Sequence, residues 1–193
     1  MMSPDSIIFA GVEVSSGRKP VRFAALDEDL KVTRMELWSV SEAPACLNGF
    51  GSLWLAVSAP SIERPMDEDL RKRIVDAGFT LYPGRGHSKQ LLVTNAQECF
   101  QALIGQKPLP RRSLEGRLQR AAILYEQGLQ IKDPIDVFEE ITRYKLMQGI
   151  LPLEDLPSSK DLDALVAAYV AWLAVNRPGQ TVSKGGFVLP VQG

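Results

Sequence analysis

Residues 7–40, IIFAGVEVSSGRKPVRFAALDEDLKVTRMELWSV, contain three apolar runs separated by two turn-forming segments. The runs cover residues 7–14, 21–26 and 31–40. The segments between them are rich in Ser, Gly, Pro or acidic residues, which favour turns over extended chain. Short apolar runs bounded by such breakers are typical of strands. The stretch therefore predicts a three-stranded antiparallel meander at the start of the fold.

Strands and helices alternate in the rest of the chain. Residues 52–58, SLWLAVS, form a continuous apolar run that stops at Ala59-Pro60, as expected for a strand buried on both faces. Further predicted strands are residues 90–94, 135–138 and 186–191, and predicted helices are residues 66–77, 96–104, a helix capped by Ser113, 139–147 and 161–175. This order predicts one α/β domain over residues 1–193, with a mixed sheet flanked by helices.

The composition is that of a globular protein of the cytoplasm. Of 193 residues, 45% are hydrophobic and 23% are charged, which is enough for a sizeable core. The net charge of -1 gives no overall attraction to nucleic acid or membrane. Two cysteines make no disulfide framework, and the amino terminus lacks the pattern of a signal peptide. We expect a soluble, cytoplasmic protein without membrane contact.

Acidic residues stand in three apolar contexts. Glu13 ends the first predicted strand, Asp136 interrupts the run at 135–138, and Asp161 and Asp163 open the apolar helix. Acids are rarely buried unless they are paired or bound to metal, so we hypothesise that the three positions converge on one site. The single histidine, His87, has no nucleophile elbow beside it, which disfavours a Ser-His-Asp hydrolase.

Each acid also has a structural interpretation. Glu13 is placed where a strand can end at the surface, and Asp136 where an edge strand can face solvent. Asp161 and Asp163 stand at a helix start, where acids favour the helix dipole and cap free amides. These interpretations need no ligand.

A family resemblance adds to this reasoning. It covers most of the chain and is carried by GVEVS (11–15), LAVSAP (55–60), RPMDEDLR (64–71), IDVF (135–138), LDALVAAY (162–169) and GFVLP (186–190). Together these segments resemble the predicted ribonuclease-H-like nucleases known as domain of unknown function 429. The resemblance implies a ribonuclease-H-like sheet, in which an antiparallel three-strand meander is followed by parallel strands.

The resemblance also implies a metal-dependent nuclease or phosphodiesterase acting on nucleic acid. In ribonuclease H and the Holliday-junction resolvases, carboxylates from the first strand, a central strand and the last helix hold Mg²⁺, or Mn²⁺ in its place. Two such ions about 4 Å apart activate water and stabilise the leaving oxygen. Carried over by position, the catalytic and metal-binding acids are Glu13, Asp136 and Asp163, with Asp161 as a further ligand and Ser58 on the substrate side. Arg64 and Arg71 are candidate contacts to a phosphate backbone by their charge alone, and the alternative for them is a solvated helix face.

Two departures from the family pattern support an alternative function. The family has Asp where this chain has Glu13, and Asp again where it has Ser58. A serine hydroxyl is neutral and is a poor ligand for magnesium, which prefers carboxylates and water. The alternative is therefore a catalytically impaired ribonuclease-H-like protein that acts in binding or as a scaffold. A homo-oligomer, formed for example through a sheet edge, is a further hypothesis.

Overall fold

The computed structural model describes residues 7–14, 20–39, 41–59, 68–83, 88–149 and 153–191. Arg64 and most of the basic loop around His87 lie outside these residues. The strands are β1 Ile8–Glu13, β2 Val21–Leu26, β3 Val32–Trp38, β4 Leu53–Ser58, β5 Thr80–Leu81, β6 Lys89–Thr94, β7 Thr181–Lys184 and β8 Phe187–Pro190. The helices are α1 Ala43–Asn48, α2 Glu68–Asp76, α3 Ala96–Ile104, α4 Leu114–Glu126, α5 Pro134–Gln148 and α6 Ser159–Asn176.

Six strands form a mixed sheet in the order β3-β2-β1-β4-β6-β5. The first three strands are an antiparallel meander, and β4, β6 and β5 continue the sheet in parallel with β1. The predicted fold class, a ribonuclease-H-like mixed sheet flanked by helices, is confirmed. Strands β7 and β8 form a separate antiparallel pair.

Helices cover both faces of the sheet, which explains the continuous apolar runs in its central strands. In β4, Leu55 and Val57 belong to one buried cluster, whereas the intervening Ala56 belongs to the other. The second cluster is built around α6, in which all of the residues from 162 to 174 are buried. None of the helices within the described residues combines the length and apolar character needed to cross a bilayer.

Helix α6 touches β1 backbone to backbone at Gly11. A Cβ added to Gly11 would lie 1.9 Å from the carbonyl oxygen of Ala164 and 2.4 Å from the amide nitrogen of Ala168. Only a residue without a side chain allows two backbones to approach so closely. The contact places the first turns of α6 against the carboxyl end of β1.

The predicted strand at residues 135–138 is wrong, because these residues lie in the first turn of α5. The side chain of Asp133 accepts a hydrogen bond from the amide of Ile135 at 2.8 Å, and Pro134 follows this cap. An Asp cap followed by Pro is a strong helix start. Periodicity cannot distinguish a four-residue apolar run in a strand from the same run in a helix.

We predict that Gly11→Ala destabilises the fold by about 3 kcal/mol, because the new methyl group overlaps backbone atoms of α6 that cannot rotate away. Chemical denaturation measures the change. Gly51→Ala is the matched control, since its Cβ would meet nothing within 4 Å. A Gly11→Ala protein as stable as the control would contradict the close contact.

Candidate functional site

Three parallel strands end at one small cavity of about 230 Å³. Glu13 ends β1 and is in register with Ser58, which ends β4 and is in register with Thr94 at the end of β6. Asp163, one turn into α6, completes the acidic part of the wall. The structure therefore brings together three of the residues that the sequence predicted, namely Glu13, Ser58 and Asp163.

The two carboxylates are nearly shielded from solvent, with Glu13 7% and Asp163 6% exposed. Their neighbourhood follows from the Gly11 contact, which presses the start of α6 against β1. Carboxylates in such places need a cationic partner or hydrogen bonds. The partner that they have is a guanidinium.

Arg111, in the connection between α3 and α4, lies between the two acids. Its Nη2 atom is 3.3 Å from Oε1 of Glu13 and also contacts Oδ2 of Asp163. A second cation, Nζ of Lys160, is 3.9 Å from the other oxygen of Glu13. At neutral pH two carboxylates thus face two positive charges.

Helix α4 holds the segment that carries Arg111 in place. The guanidinium of Arg120, itself 1% exposed, donates from Nη1 to the carbonyl of Leu109 at 2.9 Å. The amide of Leu109 donates to Oε1 of Gln119 at 2.7 Å. Arg120 also donates from Nη2 to Gln97, a residue of the cavity wall, at 2.9 Å. The hydrogen bonds of Arg120 and Gln119 to Leu109 therefore hold the backbone two residues before Arg111 in place.

The neutral polar residues of the wall have structural partners. Oγ of Ser58 accepts a hydrogen bond from the amide of Ala96 at 3.2 Å. Asn95 caps α3 by accepting from the amide of Glu98 at 2.9 Å, and it donates to the carbonyl of Ala59 at 3.0 Å. These bonds fix the start of α3 against the end of β4. They supply hydrogen bonds to the cavity wall but no additional negative charge.

Burial raises the pKa of Asp163 from its ordinary value of 3.8 to about 6. The positive charge of Arg111 lowers this pKa, and the negative charge of Glu13 raises it again. Desolvation is the largest of these effects. The ionised form of Asp163 therefore remains costly in the folded protein even beside its arginine.

The described residues do not fit a magnesium centre of the two-ion type. Within the parts of the chain that the structure describes, no three Asp, Glu, His or Cys side chains group closely enough to hold a metal. The cavity provides two carboxylates, and Arg111 already contacts both of them. A third carboxylate is missing at Ser58, whose hydroxyl is engaged by the backbone.

Asp161 serves the start of α6. Its carboxylate accepts a hydrogen bond from the amide of Ser158 at 2.9 Å, and its own amide donates to Oγ of Ser158 at 3.2 Å. It also forms an ion pair of 3.2 Å with Nε of Arg22. This reciprocal capping is the structural interpretation that the sequence offered for an acid at this position.

Two other predicted residues lie elsewhere. Asp136 is in the first turn of α5 and lines a different cavity. Its negative charge also acts on Tyr125, whose pKa is raised mainly by Asp133 and to a smaller extent by Asp136. The interpretation of Asp136 as an acid on a later strand was wrong, because its strand is a helix. Arg71 is exposed on α2 and is not part of the wall around Glu13, and Arg64 lies outside the described residues.

Sequence reasoning missed Arg111. It lies in a proline-containing connection, between Pro110 and the helix cap at Ser113, and charged residues in such connections are usually solvated. The one available signal was the pairing of two adjacent arginines, Arg111 and Arg112, with a short rigid segment. That signal does not say where the segment lies in space.

We predict that Asp163→Asn stabilises the protein at pH 8 and changes nothing near pH 4. With a folded pKa of about 6 and an unfolded value near 3.8, the folded state binds the proton more tightly, so this group lowers stability as pH rises through that window. The cost reaches about 3 kcal/mol above pH 6, and asparagine removes it. Denaturation curves from pH 4 to 8 measure the difference.

Asp76→Asn, at an exposed position at the end of α2, is the control for that series. It should be neutral across the range. An Asp163→Asn protein less stable than the parent at pH 8 would mean that the ion pair with Arg111 outweighs the desolvation of the carboxylate.

No protein-family model matches the chain. No curated protein matches it either. Among solved structures, the chain is similar to the large terminase nuclease from thermophilic phage G20c. That similarity has a TM-score of 0.44 and 15% sequence identity, and it covers 86% of this chain and 83% of the other. The assignment of the fold class rests on the strand order and directions described above.

Proposed function

We propose that this chain is a ribonuclease-H-like binding or scaffold protein in which two of its own cations, Arg111 and Lys160, compensate the two acids of the cavity. The observation that carries the proposal is the contact of one guanidinium nitrogen, Nη2 of Arg111, with both Glu13 and Asp163. In this arrangement both acids contact the connection between α3 and α4 through Arg111. Catalysis of phosphodiester cleavage is not required of them.

Charge balance supports this proposal. A cluster that holds divalent cations needs uncompensated carboxylates, whereas Glu13 and Asp163 face Arg111 and Lys160. A cation entering the cavity would have to displace the guanidinium. Leu109, two residues before Arg111, is hydrogen-bonded to Arg120 and Gln119 of α4. Displacing Arg111 would therefore disturb contacts beyond the ion pair itself.

The neutral polar residues of the cavity wall agree with the same proposal. Ser58 accepts a hydrogen bond from the amide of Ala96 at the start of α3, and Asn95 donates one to the carbonyl of Ala59 after β4. Gln97 accepts from the buried Arg120. Each of these neutral side chains is engaged in the fold and adds no negative charge to the cavity.

A metal-dependent nuclease is the second candidate, and one observation favours it. Glu13 and Asp163 do meet in one cavity, on the first strand and the last helix, as the family resemblance implies. This function requires Arg111 to leave the acids when nucleic acid and Mg²⁺ or Mn²⁺ arrive. A phosphodiester is a suitable competing partner, because guanidinium groups bind phosphate in bidentate fashion.

A titration with Mg²⁺ and Mn²⁺, followed by thermal unfolding, separates the two candidates. A site present only in the folded state stabilises the protein by RT ln(1 + [L]/Kd). For the wild-type protein we expect no shift at millimolar metal. For Arg111→Gln we expect a metal-dependent shift, because both carboxylates lose their shared cation. Arg112→Gln, at the exposed neighbouring position, should behave like the wild type.

A shift in the wild-type protein that disappears in Asp163→Asn would overturn the binding or scaffold proposal. Metal-dependent cleavage of DNA or RNA by the wild type, again lost in Asp163→Asn, would then establish the nuclease. Absence of a shift in both the wild type and Arg111→Gln would mean that the two carboxylates cannot hold a metal even when released.

A further inference from the structure

Helix α5 carries a second apolar face in addition to the one that it buries. Val137 and Ile141 pack into the core. On the opposite side the large apolar side chains are exposed, to 63% for Ile135, 51% for Phe138 and 80% for Leu146. Exposed apolar patches of this kind mark interaction surfaces in soluble proteins.

Three exposed apolar residues of α5 and the exposed Thr142 between them follow the periodicity of a helix. Ile135, Phe138, Thr142 and Leu146 are spaced by three, four and four residues, so they form one stripe along the length of α5. A shallow groove runs beside this stripe and is lined by Phe138, Glu139, Thr142, Arg143, Leu146 and Met147. All of these residues lie on α5, so the groove is a depression between side chains of this one helix.

Charges are segregated along the same helix. Its first half has Asp136 and Glu139, and its second half has Arg143 and Lys145. All four side chains are exposed, and among the described residues none of them forms an ion pair. A partner helix that presents the opposite order of charge would be complementary to this one.

We propose that α5 is the contact surface of a symmetric dimer, in which it packs antiparallel against α5 of a second copy. A two-fold axis through Thr142 places Phe138 against Leu146 of the partner subunit, since each is four residues from the axis. Glu139 and Arg143 lie one turn apart on the same flank of the stripe. The two-fold axis therefore brings Glu139 beside the partner's Arg143, twice per dimer.

Other pairings fit less well. A parallel pair of α5 helices would oppose acid to acid and base to base, which is unfavourable. The edge strand β3 is the competing surface for a dimer, but its exposed residues include Arg34 and Glu36, and charges on an edge strand oppose pairing. Antiparallel α5 packing satisfies both the apolar stripe and the charges.

The size of the surface sets the expected affinity. A helix of 15 residues is about 22 Å long, so two such helices bury an area at the low end of specific interfaces. The dimer should therefore be weak and should dissociate on dilution. Sedimentation velocity of the full chain over a wide concentration range is the appropriate measurement.

For the wild type we expect a reversible monomer–dimer equilibrium. Glu139→Arg and Arg143→Glu should each weaken the dimer by about tenfold, because each creates like-charge contacts on both sides of the axis. The double variant Glu139→Arg with Arg143→Glu should restore the wild-type affinity, since it exchanges the two charges. Leu146→Ser should also weaken the dimer, and its exposed position leaves the core untouched.

Circular dichroism and thermal unfolding verify that every variant is folded. Leu37→Ser, on β3 and 54% exposed, is the matched control and should dimerise like the wild type. Loss of the dimer in Leu37→Ser would assign the contact to the sheet edge and overturn the proposal. A wild type that stays monomeric at the highest concentration, or a double variant as weak as the single ones, would overturn it as well.

Discussion

The approach of α6 to β1 at Gly11 is the constraint on which the rest of the structure depends. The backbone carbonyl of Ala164 occupies the volume that a side chain at position 11 would need. Because the two backbones touch, the first turns of α6 reach the carboxyl end of the sheet. Asp163 then lies in one cavity with Glu13, and both side chains are nearly shielded from solvent. Without this contact, the two acids would be solvated and separate.

Two buried carboxylates that lie close together repel each other and lose hydration, and the positive charge of Arg111 offsets part of this cost. Arg111 offsets only part of the cost, because burial still raises the pKa of Asp163 to about 6. The position of Arg111 is nevertheless well supported. The buried Arg120 donates hydrogen bonds to Leu109 in the connection and to Gln97 in the cavity wall. The same residues that stabilise the fold therefore determine the charge of the cavity.

Much of the architecture could be predicted from the sequence, and the site only in part. The apolar runs of β1, β4 and β6 are long enough and well enough bounded to define strands, and the capped start of α3 fixes its position. Residues 135–138 were misassigned because four residues carry no usable period, whereas the cap at Asp133 did carry the signal. Arg111 was missed because tertiary contacts with α4, which local sequence does not encode, determine where its connection lies.

The side chains of Glu13 and Ser58 are best understood together with Arg111. With an acid at the position of Ser58, three carboxylates would lie near two cations, Arg111 and Lys160, so one negative charge would lack a cationic partner. A neutral serine removes one negative charge and satisfies the amide of Ala96. Two acids remain, Glu13 and Asp163, and a single guanidinium nitrogen, Nη2 of Arg111, contacts both of them. The residues of the cavity thus form one consistent set, in which internal cations compensate the acids.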